Sequence, residues 1–277
     1  MVIHEYDYFY EKRTRRNIGH VTYEEQELIR NSKIVIMGVG GVGGSLTEQL
    51  ARIGCQNIVI CDNDLYEESN LNRQLCTTEE LGKYKVDHLE SHLKAIDPQM
   101  NVSKWKNIAS HNIDIILENA NIVCLSLDDP IASIIIARKC REKQIPMVES
   151  WGIPYLWAWW FTSDSISYEE CFNTDTTTLS IEELEENEMS VYTDLFPKLL
   201  QFPGIEEMYD RKEGIIEQIL QGERSFPSMA SFVHLTASYL ATEIIFAGIL
   251  NMKKKVLAPN VVGYDYIRMQ PIQIKIN

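Results

Sequence analysis

The feature that most constrains this fold is a glycine-rich turn between a short apolar run, residues 33–37, and a helix-like segment, residues 45–52. A second apolar run follows at 57–61 and ends in Asp62. Four glycines of the turn have the spacing of a nucleotide-binding loop, namely Gly38, Gly40, Gly41 and Gly43. A strand, a glycine turn, a helix, a second strand and an acid in this order are typical of a nucleotide-binding βαβ unit.

The chemistry of these residue types supports a site for phosphate and ribose. Glycines let the backbone approach a phosphate closely, and the first turn of a helix presents free N–H groups and a partial positive charge. Asp62 lies 19 residues after Gly43, where a carboxylate can accept hydrogen bonds from a ribose. A purely structural tight turn is the alternative interpretation.

The segment after this second strand adds polar side chains to the predicted site. Residues 65–74 show neither helical nor strand periodicity, so we expect a loop. Loops that leave the carboxyl ends of strands are where ligands bind in open α/β sheets. Asp64 at the strand end, and Asn70 and Arg73 in the loop, could therefore reach the same ligand as the glycine turn.

A cation and a pair of acids extend the prediction. Lys85 falls in the first turn of a helix predicted from 81 to 96, where the helix dipole disfavours a cation. This suggests a nearby anion, with a merely exposed lysine as the alternative. Asp128 and Asp129 end an apolar strand predicted at 122–127, and carboxylates beside a phosphate site suit Mg²⁺. The alternative for this pair is a turn with acidic helix caps.

The order of the predicted elements gives the fold class. Strands alternate with helices from 33 to 150, which implies a parallel sheet for a nucleotide-binding part. Residues 1–32 form an N-terminal helical arm, and 151–277 form the substrate-facing second half of the same domain. The predicted features of that half are a strand at 155–161, a mobile acidic loop near 173–190, a helix at 230–250 and a closing strand at 267–274. We predict an α/β fold with a Rossmann-like sheet, parallel in the first half, mixed or antiparallel in the second, and flanked by helices.

Composition narrows the partners and the compartment. The net charge of −14 argues against a nucleic-acid backbone or an anionic membrane as the main partner. The six cysteines form no CxxC pair, so no zinc-ribbon signature is present.

The polar, aromatic N-terminus shows no signal peptide, which favours a cytoplasmic location. The apolar stretch 230–250 contains Glu243, so we expect a buried helix rather than a membrane span.

Several motifs together resemble the ThiF/MoeB/HesA family, the bacterial relatives of ubiquitin-activating enzymes. The glycine turn is followed by Asp62-Asn63-Asp64 and by Ser-Asn-Leu-Asn-Arg-Gln at 69–74. The basic residues at 13–16 resemble the family's N-terminal Arg-x-x-Arg element. Lys85 and Asp128 match the family's lysine and its magnesium aspartate.

The resemblance implies ATP- and Mg²⁺-dependent adenylation of a carboxylate, with release of pyrophosphate. The expected substrate is the C-terminus of a ubiquitin-like or sulfur-carrier protein, or of a peptide, and the product is an acyl-adenylate. By resemblance, Arg73 and Lys85 would hold the phosphates and Asp62 the ribose. Asp128 would bind Mg²⁺, and Arg16 would offset charge on the leaving group. The resemblance also implies a homodimer, in which Arg16 reaches the ATP of the neighbouring subunit.

The chain departs from the family pattern at its cysteines and at one arginine. The zinc-binding CxxC pairs are absent, so we expect no structural zinc, and Cys171 stands alone where the first pair would lie. Some relatives pass the acyl group to a cysteine in this region, which makes Cys171 a candidate nucleophile. A leftover, inert cysteine is the alternative. Ser133 stands where the family often has an arginine.

Two other function classes stay open at this point. An NAD-dependent oxidoreductase would use the glycine turn and Asp62 without needing Arg73 or Lys85. A degenerate family member could serve as a nucleotide-binding module, although the intact set of cations argues against that. The acceptor is also open between a carrier protein, a peptide and a modified tRNA base, and the net charge of −14 counts against the tRNA.

Overall fold

The computed structural model describes residues 5–153, 155–186, 214–221 and 223–276. The strands are β1 (Lys33–Met37), β2 (Asn57–Cys61), β3 (Asn101–Trp105), β4 (Ile122–Leu125), β5 (Met147–Glu149), β6 (Tyr155–Phe161), β7 (Asn260–Asp265) and β8 (Gln270–Lys275). They form one sheet in the order β3-β2-β1-β4-β5-β6-β7-β8. Strands β1 to β5 are parallel, whereas β6 to β8 pair antiparallel with their neighbours. The predicted α/β fold, parallel in its first half and antiparallel in its second, is confirmed.

Helices cover both faces of this sheet. They are α1 (Glu5–Thr14), α2 (Tyr23–Asn31), α3 (Gly41–Ile53), α4 (Lys85–Ile96), α5 (Ile113–Ile116), α6 (Pro130–Glu142), α7 (Tyr168–Phe172), α8 (Ile181–Glu185), α9 (Ile215–Leu220) and α10 (Ala230–Thr242), which continues as a π-helix, Glu243–Ile249. Helices α2, α3, α4 and α10 pack on one face, and α5 to α8 pack on the other. Because both faces are covered, the central strands are apolar throughout rather than alternating.

The N-terminal arm is fastened to the carboxyl end of α3, at the opposite end from the glycine turn. Arg13 donates hydrogen bonds to the Ala51 carbonyl (2.7 Å) and to the Asp97 carboxylate (3.0 Å). The buried Tyr10 donates its hydroxyl hydrogen to the Gly54 carbonyl (2.9 Å). Arg13 therefore has a structural role at a helix end where the dipole favours a cation.

The acidic segment predicted as a loop near 173–190 contains helix α8. The Ser180 hydroxyl accepts a hydrogen bond from the Glu183 amide (3.2 Å), and the Glu183 carboxylate accepts one from the Ser180 amide (2.7 Å). This capping box starts a helix that the acidic composition did not indicate. The segment is therefore helical at α8, and its mobility stays a prediction, while residues 187–190 lie outside the described residues.

Two other predicted boundaries differ from the structure. The closing strand predicted at 267–274 corresponds to β8, which starts three residues later, and the preceding strand β7 was not predicted. The two strands form a hairpin whose turn begins at Asp265. The Asp265 carboxylate accepts hydrogen bonds from the amides two and three residues further on (2.8 and 2.9 Å) and so stabilises that turn. The helix predicted from 81 begins at Lys85, because Gly82, with a φ of 77°, belongs to the preceding turn.

The helical stretch Ala230–Ile249 is, in the described part of the chain, the one candidate long and apolar enough to cross a membrane. Half of its most apolar 18-residue segment is buried inside the structure. Ala237, Leu240 and Ile244 are fully buried and belong to the core that α10 shares with α3 and the sheet. This packing is that of a core helix, in agreement with the buried helix predicted at 230–250.

Gly248 in the π-helix packs directly against two strands. A Cβ at this position would overlap the Ile122 side chain and would lie 2.9 Å from the rigid, buried indole of Trp160. We expect Gly248→Ala to lower the free energy of unfolding by about 1–3 kcal/mol, measured in denaturant. Ser238→Ala on the exposed side of α10 is the control and should change it by less than about 0.5 kcal/mol. Equal effects of the two changes would contradict this packing.

Candidate nucleotide-binding site

The glycine turn lies at the carboxyl end of β1 and is too tight for a side chain at two positions. Gly38 has a φ of 90°, and a Cβ there would overlap the Ser126 carbonyl oxygen. A Cβ on Gly43 would overlap the carbonyl oxygen of Gly38. The turn leads directly into α3, whose first N–H groups have no partner within the helix. The shape and the donors of this cradle, residues 38–43, fit a phosphate group.

The other two glycines of the motif, Gly40 and Gly41, lie next to neighbouring structural elements. A Cβ on Gly41 would lie 3.1 Å from Val233 of α10 and 3.5 Å from Cγ of Arg73. A Cβ on Gly40 would lie 3.7 Å from Nε2 of Gln74. The loop after β2 and the start of α10 therefore border the phosphate cradle, and the predicted arginine lies beside it.

Asp62 at the end of β2 fixes the shape of the cradle. Its side chain is buried, with 8% of the residue exposed. One carboxylate oxygen accepts a hydrogen bond from the Val39 amide (2.8 Å), and the other accepts one from the Asp64 amide (2.9 Å). Burial raises the pKa of Asp62, and the nearby Lys85 ammonium opposes that rise. Asp62 therefore orders the glycine turn, a role beyond the ribose contact predicted for it.

Lys85 lies beside these acids at the start of α4. It is 6% exposed, and its Nζ lies 2.7 Å from Oδ2 of Asp64 and 4.0 Å from Oδ1 of Asp62. These carboxylates explain why a cation occupies the first turn of α4 despite the helix dipole. The merely exposed lysine considered as the alternative is wrong. Because the Asp64 side chain is 61% exposed, the Lys85–Asp64 ion pair is open to water on the Asp64 side.

The two acids after β4 have different roles. Asp129 caps α6, since its carboxylate accepts a hydrogen bond from the Ala132 amide (3.0 Å). This is the structural alternative considered for the pair. Asp128 is exposed to water, and the protein that surrounds its carboxylate on the other sides raises its pKa by partial desolvation. The positive charges of Lys85 and Arg73 lower the same pKa, whereas the negative charges of Asp64 and Asp62 raise it.

Asn70 and Arg73 occupy one short turn next to the cradle. Arg73 donates hydrogen bonds to the Ser69 carbonyl (2.9 Å) and to the Asn72 side chain (2.8 Å). Asn70 is buried, and its side-chain oxygen accepts a hydrogen bond from the Glu67 amide (3.1 Å). Asn70 therefore stabilises the turn that presents Arg73, and its contact with a ligand stays a prediction.

Two predicted site residues lie away from this cluster. Arg16 is exposed, and the adjacent Asn17 donates a hydrogen bond to the Ile53 carbonyl (2.6 Å) at the last residue of α3. The 13 residues of α3 span about 18 Å, which separates Arg16 from the cradle of its own chain. Cys171 is fully buried, with its Sγ 3.8 Å from the Ile276 carbonyl oxygen. This burial favours the inert interpretation of Cys171, and its role as a nucleophile stays a prediction.

Sequence reasoning missed two residues of the cradle. Ser126 provides the carbonyl oxygen that closes over Gly38, and nothing in the sequence marks it. Gln74 has a buried side-chain oxygen without a hydrogen-bond partner in residues 5–153 and the other described ranges. An unsatisfied amide oxygen beside a phosphate cradle is a candidate ligand contact. The sequence signal for it is its place directly after Arg73.

Comparison with known proteins places the chain among related sequences. A family model described as the ThiF family matches residues 14–277. The chain is 26% identical to tRNA threonylcarbamoyladenosine dehydratase of Bacillus subtilis over 50% of this chain and 55% of that protein. It is 31% identical to a probable molybdopterin-synthase adenylyltransferase of Gracilaria tenuistipitata, over 42% of this chain and 33% of that protein. It is 25% identical to the SAMP-activating enzyme E1 of Haloferax volcanii, over 45% of this chain and 47% of that protein.

These matches span between a third and about half of the curated relatives, whereas solved structures share the fold over most of this chain. Escherichia coli MccB with ATP has a TM-score of 0.64 at 21% identity, covering 91% of this chain and 66% of that chain. PaaA has a TM-score of 0.66 at 18% identity, covering 96% and 73%. Since the family model spans residues 14–277, which include the cradle and the antiparallel half, the chain belongs to the ThiF family.

Proposed function

We propose that this protein catalyses the ATP- and Mg²⁺-dependent adenylation of a carboxylate. The supporting observation is a single cluster in which Arg73, Lys85 and Asp128 lie around the phosphate cradle. The substrate carboxylate attacks the α-phosphorus of ATP, the bond to the bridging oxygen breaks, and pyrophosphate leaves as the acyl-adenylate forms. Because the nucleophile is already an anion, the reaction needs positioning and charge neutralisation rather than proton transfer.

Each member of the cluster has a role suited to its chemistry. The N–H groups of the cradle hold a phosphate, and Asp62 accepts hydrogen bonds from the ribose. Arg73 and Lys85 neutralise the phosphates, and the guanidinium can pair with two phosphate oxygens at once. Asp128 would hold Mg²⁺, which would supply positive charge to offset that of the leaving pyrophosphate.

The proposed substrate is the C-terminal carboxylate of a small carrier protein or a peptide. Relatives of the chain include one named as a SAMP-activating enzyme and one named as a molybdopterin-synthase adenylyltransferase. One structural neighbour, MccB, is solved in complex with N-formylated MccA. The net charge of −14 makes a tRNA substrate, which the name of the Bacillus relative suggests, less suitable for this chain.

We propose further that the protein is a homodimer with shared sites. Within the described residues, no hydrogen bond or ion pair joins the exposed Arg16 to another side chain, and α3 separates it from its own cradle. A side chain cannot cover that distance, so Arg16 would serve the neighbouring subunit across a two-fold interface. Tyr8, which is 52% exposed, and Phe9 supply apolar surface on the same arm.

Three further expectations stay proposals. We propose that the chain divides into an N-terminal arm (residues 1–32), an ATP-binding part (33–150) and a substrate-facing half (151–277). Structural zinc is absent, because no two cysteines have the spacing of zinc ligands. The protein is cytoplasmic and acts on no membrane.

Calorimetric titration tests the nucleotide and the metal. Mg²⁺-ATP should bind the wild-type protein, and Asp128→Ala should weaken it by at least about tenfold, because the ion loses a carboxylate ligand. Asp129→Asn is the matched control, since asparagine caps a helix as well as aspartate does. It should leave the affinity within about twofold.

Two outcomes would contradict the proposed function. Binding of NAD as tight as that of ATP would favour the oxidoreductase. Nucleotide binding without ATP–pyrophosphate exchange, for any C-terminal carboxylate of a carrier or peptide, would favour the degenerate binding module.

A further inference from the structure

Glu149, the last residue of β5, is a buried carboxylate for which the proposed reaction has no role. It accepts hydrogen bonds from the indole N–H groups of Trp151 (3.2 Å) and Trp159 (3.1 Å) and from the Tyr168 hydroxyl (3.5 Å). Glu149 is level with Leu125 across the β4–β5 pair. Glu149 therefore lies at the carboxyl ends of the parallel strands, and the phosphate cradle lies at the same end of the sheet.

None of the groups that face Glu149 in the described chain is a cation. Its titratable neighbours are Tyr168 on α7, with Cys171 beside it, and Cys124 on β4. Burial raises the pKa of Glu149 to about 7, and its three hydrogen bonds limit that rise. All three partners are donors, so the ionised carboxylate satisfies them, whereas a protonated carboxyl group introduces a competing donor. The contacts of Glu149 therefore weaken as the pH falls through about 7.

Trp151 connects this carboxylate to the phosphate cradle through its backbone. The Trp151 carbonyl accepts a hydrogen bond from the Thr236 hydroxyl of α10 (3.4 Å). A Cβ on the next residue, Gly152, would lie 3.2 Å from Cγ2 of Val42, in the first turn of α3. A displacement of Trp151 therefore moves a backbone segment that packs on the cradle.

We propose that Glu149 is a positioning residue of the nucleotide site. Its carboxylate fixes Trp151, and the backbone of Trp151 and Gly152 fixes the first turn of α3. This inference rests on the proposed function, because it assigns Glu149 to the same site. Nucleotide affinity then follows the charge of Glu149 and is highest when the carboxylate is ionised.

The first measurement is the tryptophan fluorescence of the full chain across about two pH units on each side of 7. The wild-type protein should show a step near pH 7, because two indole N–H groups face the titrating carboxylate. Glu149→Gln should lack the step, since the amide has a similar volume but does not titrate. Trp159→Phe should keep the step and move it to higher pH, because the charged form loses a donor.

The second measurement is the affinity for Mg²⁺-ATP at one pH unit below and above that step. We expect the wild-type dissociation constant to be about tenfold larger at the lower pH. Glu149→Gln should remove the part of this difference that Glu149 causes, and any part due to proton uptake by the nucleotide is the same in both proteins and cancels in their comparison. At the higher pH, Trp151→Phe should bind about tenfold more weakly, whereas the matched Trp159→Phe should change the affinity by less than about twofold.

The variants separate positioning from general stability. Equal weakening by Trp151→Phe and Trp159→Phe would overturn the inference, and so would a fluorescence step that persists in Glu149→Gln. A wild-type protein that binds Mg²⁺-ATP equally at both pH values would overturn this inference alone. A wild-type protein that binds no Mg²⁺-ATP at either pH would contradict the proposed function, and the fluorescence titration would still decide whether Glu149 controls Trp151.

Discussion

Replacing Gly43 by alanine is expected to abolish nucleotide binding and to destabilise the fold. The new Cβ would overlap the Gly38 carbonyl oxygen. Neither segment can move away freely, because β1 is central in the sheet and α3 packs against α10. Relief of the overlap would shift α3 and pull its N–H groups off the phosphate position. We expect a loss of about 3 kcal/mol in the free energy of unfolding and of at least about 100-fold in Mg²⁺-ATP affinity.

Gly40→Ala is the matched control for this change. A Cβ on Gly40 would lie 3.7 Å from Nε2 of Gln74, which is an ordinary contact. The free energy of unfolding in denaturant should therefore stay within about 1 kcal/mol of the wild-type value. Calorimetry on the same two variants reports the nucleotide affinity. A Gly43→Ala protein as stable as Gly40→Ala would contradict the cradle geometry.

Mixing two inactive variants is expected to restore pyrophosphate exchange. Arg16→Ala and Asp128→Ala homodimers should each be severely impaired, because every site lacks one of the two residues. If Arg16 serves the partner subunit's site, each heterodimer has one site with both residues intact. With free random pairing, about a quarter of all sites should be repaired, because half of the dimers are mixed.

Arg15→Ala provides the matched control for the arm. Arg15 is also exposed and adjoins Arg16, so its loss removes the same charge at a neighbouring position and should leave exchange close to the wild-type rate. Heterodimers must be demonstrated by mass before the mixture is assayed. Absence of recovery in proven heterodimers would place Arg16 in its own subunit's site or outside the chemistry.

The parts that could be predicted from the sequence are those governed by short-range patterns. The strands at 33–37 and 57–61 and the glycine turn between them follow from apolar runs and glycine spacing, and the structure has the same bounds. The Thr-x-x-Glu spacing at 22–25 is a local pattern of the same kind, and in the structure Thr22 and Glu25 form a capping box at the start of α2. The parallel sheet then follows from the alternation of strands and helices.

The parts that could not be predicted depend on contacts between distant residues. Four basic residues at 12–16 look equivalent in the sequence, yet Arg13 pairs with Asp97 while Arg16 stays exposed. The acids after β4 are likewise adjacent in sequence, and only the fold makes one of them a helix cap. Glu149 gives no sequence signal at all, because its partners come from a turn, a strand and a helix that meet only in the folded chain.

The closure of Gly38 by Ser126 has a consequence for synthesis on the ribosome. The glycine turn leaves the ribosome early, but the Ser126 carbonyl that packs against Gly38 is made only after residues 39–125. Strand β1 likewise waits for β4 before its second edge is paired. Such non-local pairing makes folding slow and leaves apolar strand edges uncovered in the growing chain. A nascent chain that stops before β4 therefore carries the nucleotide motif but not the pocket, and its exposed β1 edge is where aggregation would begin.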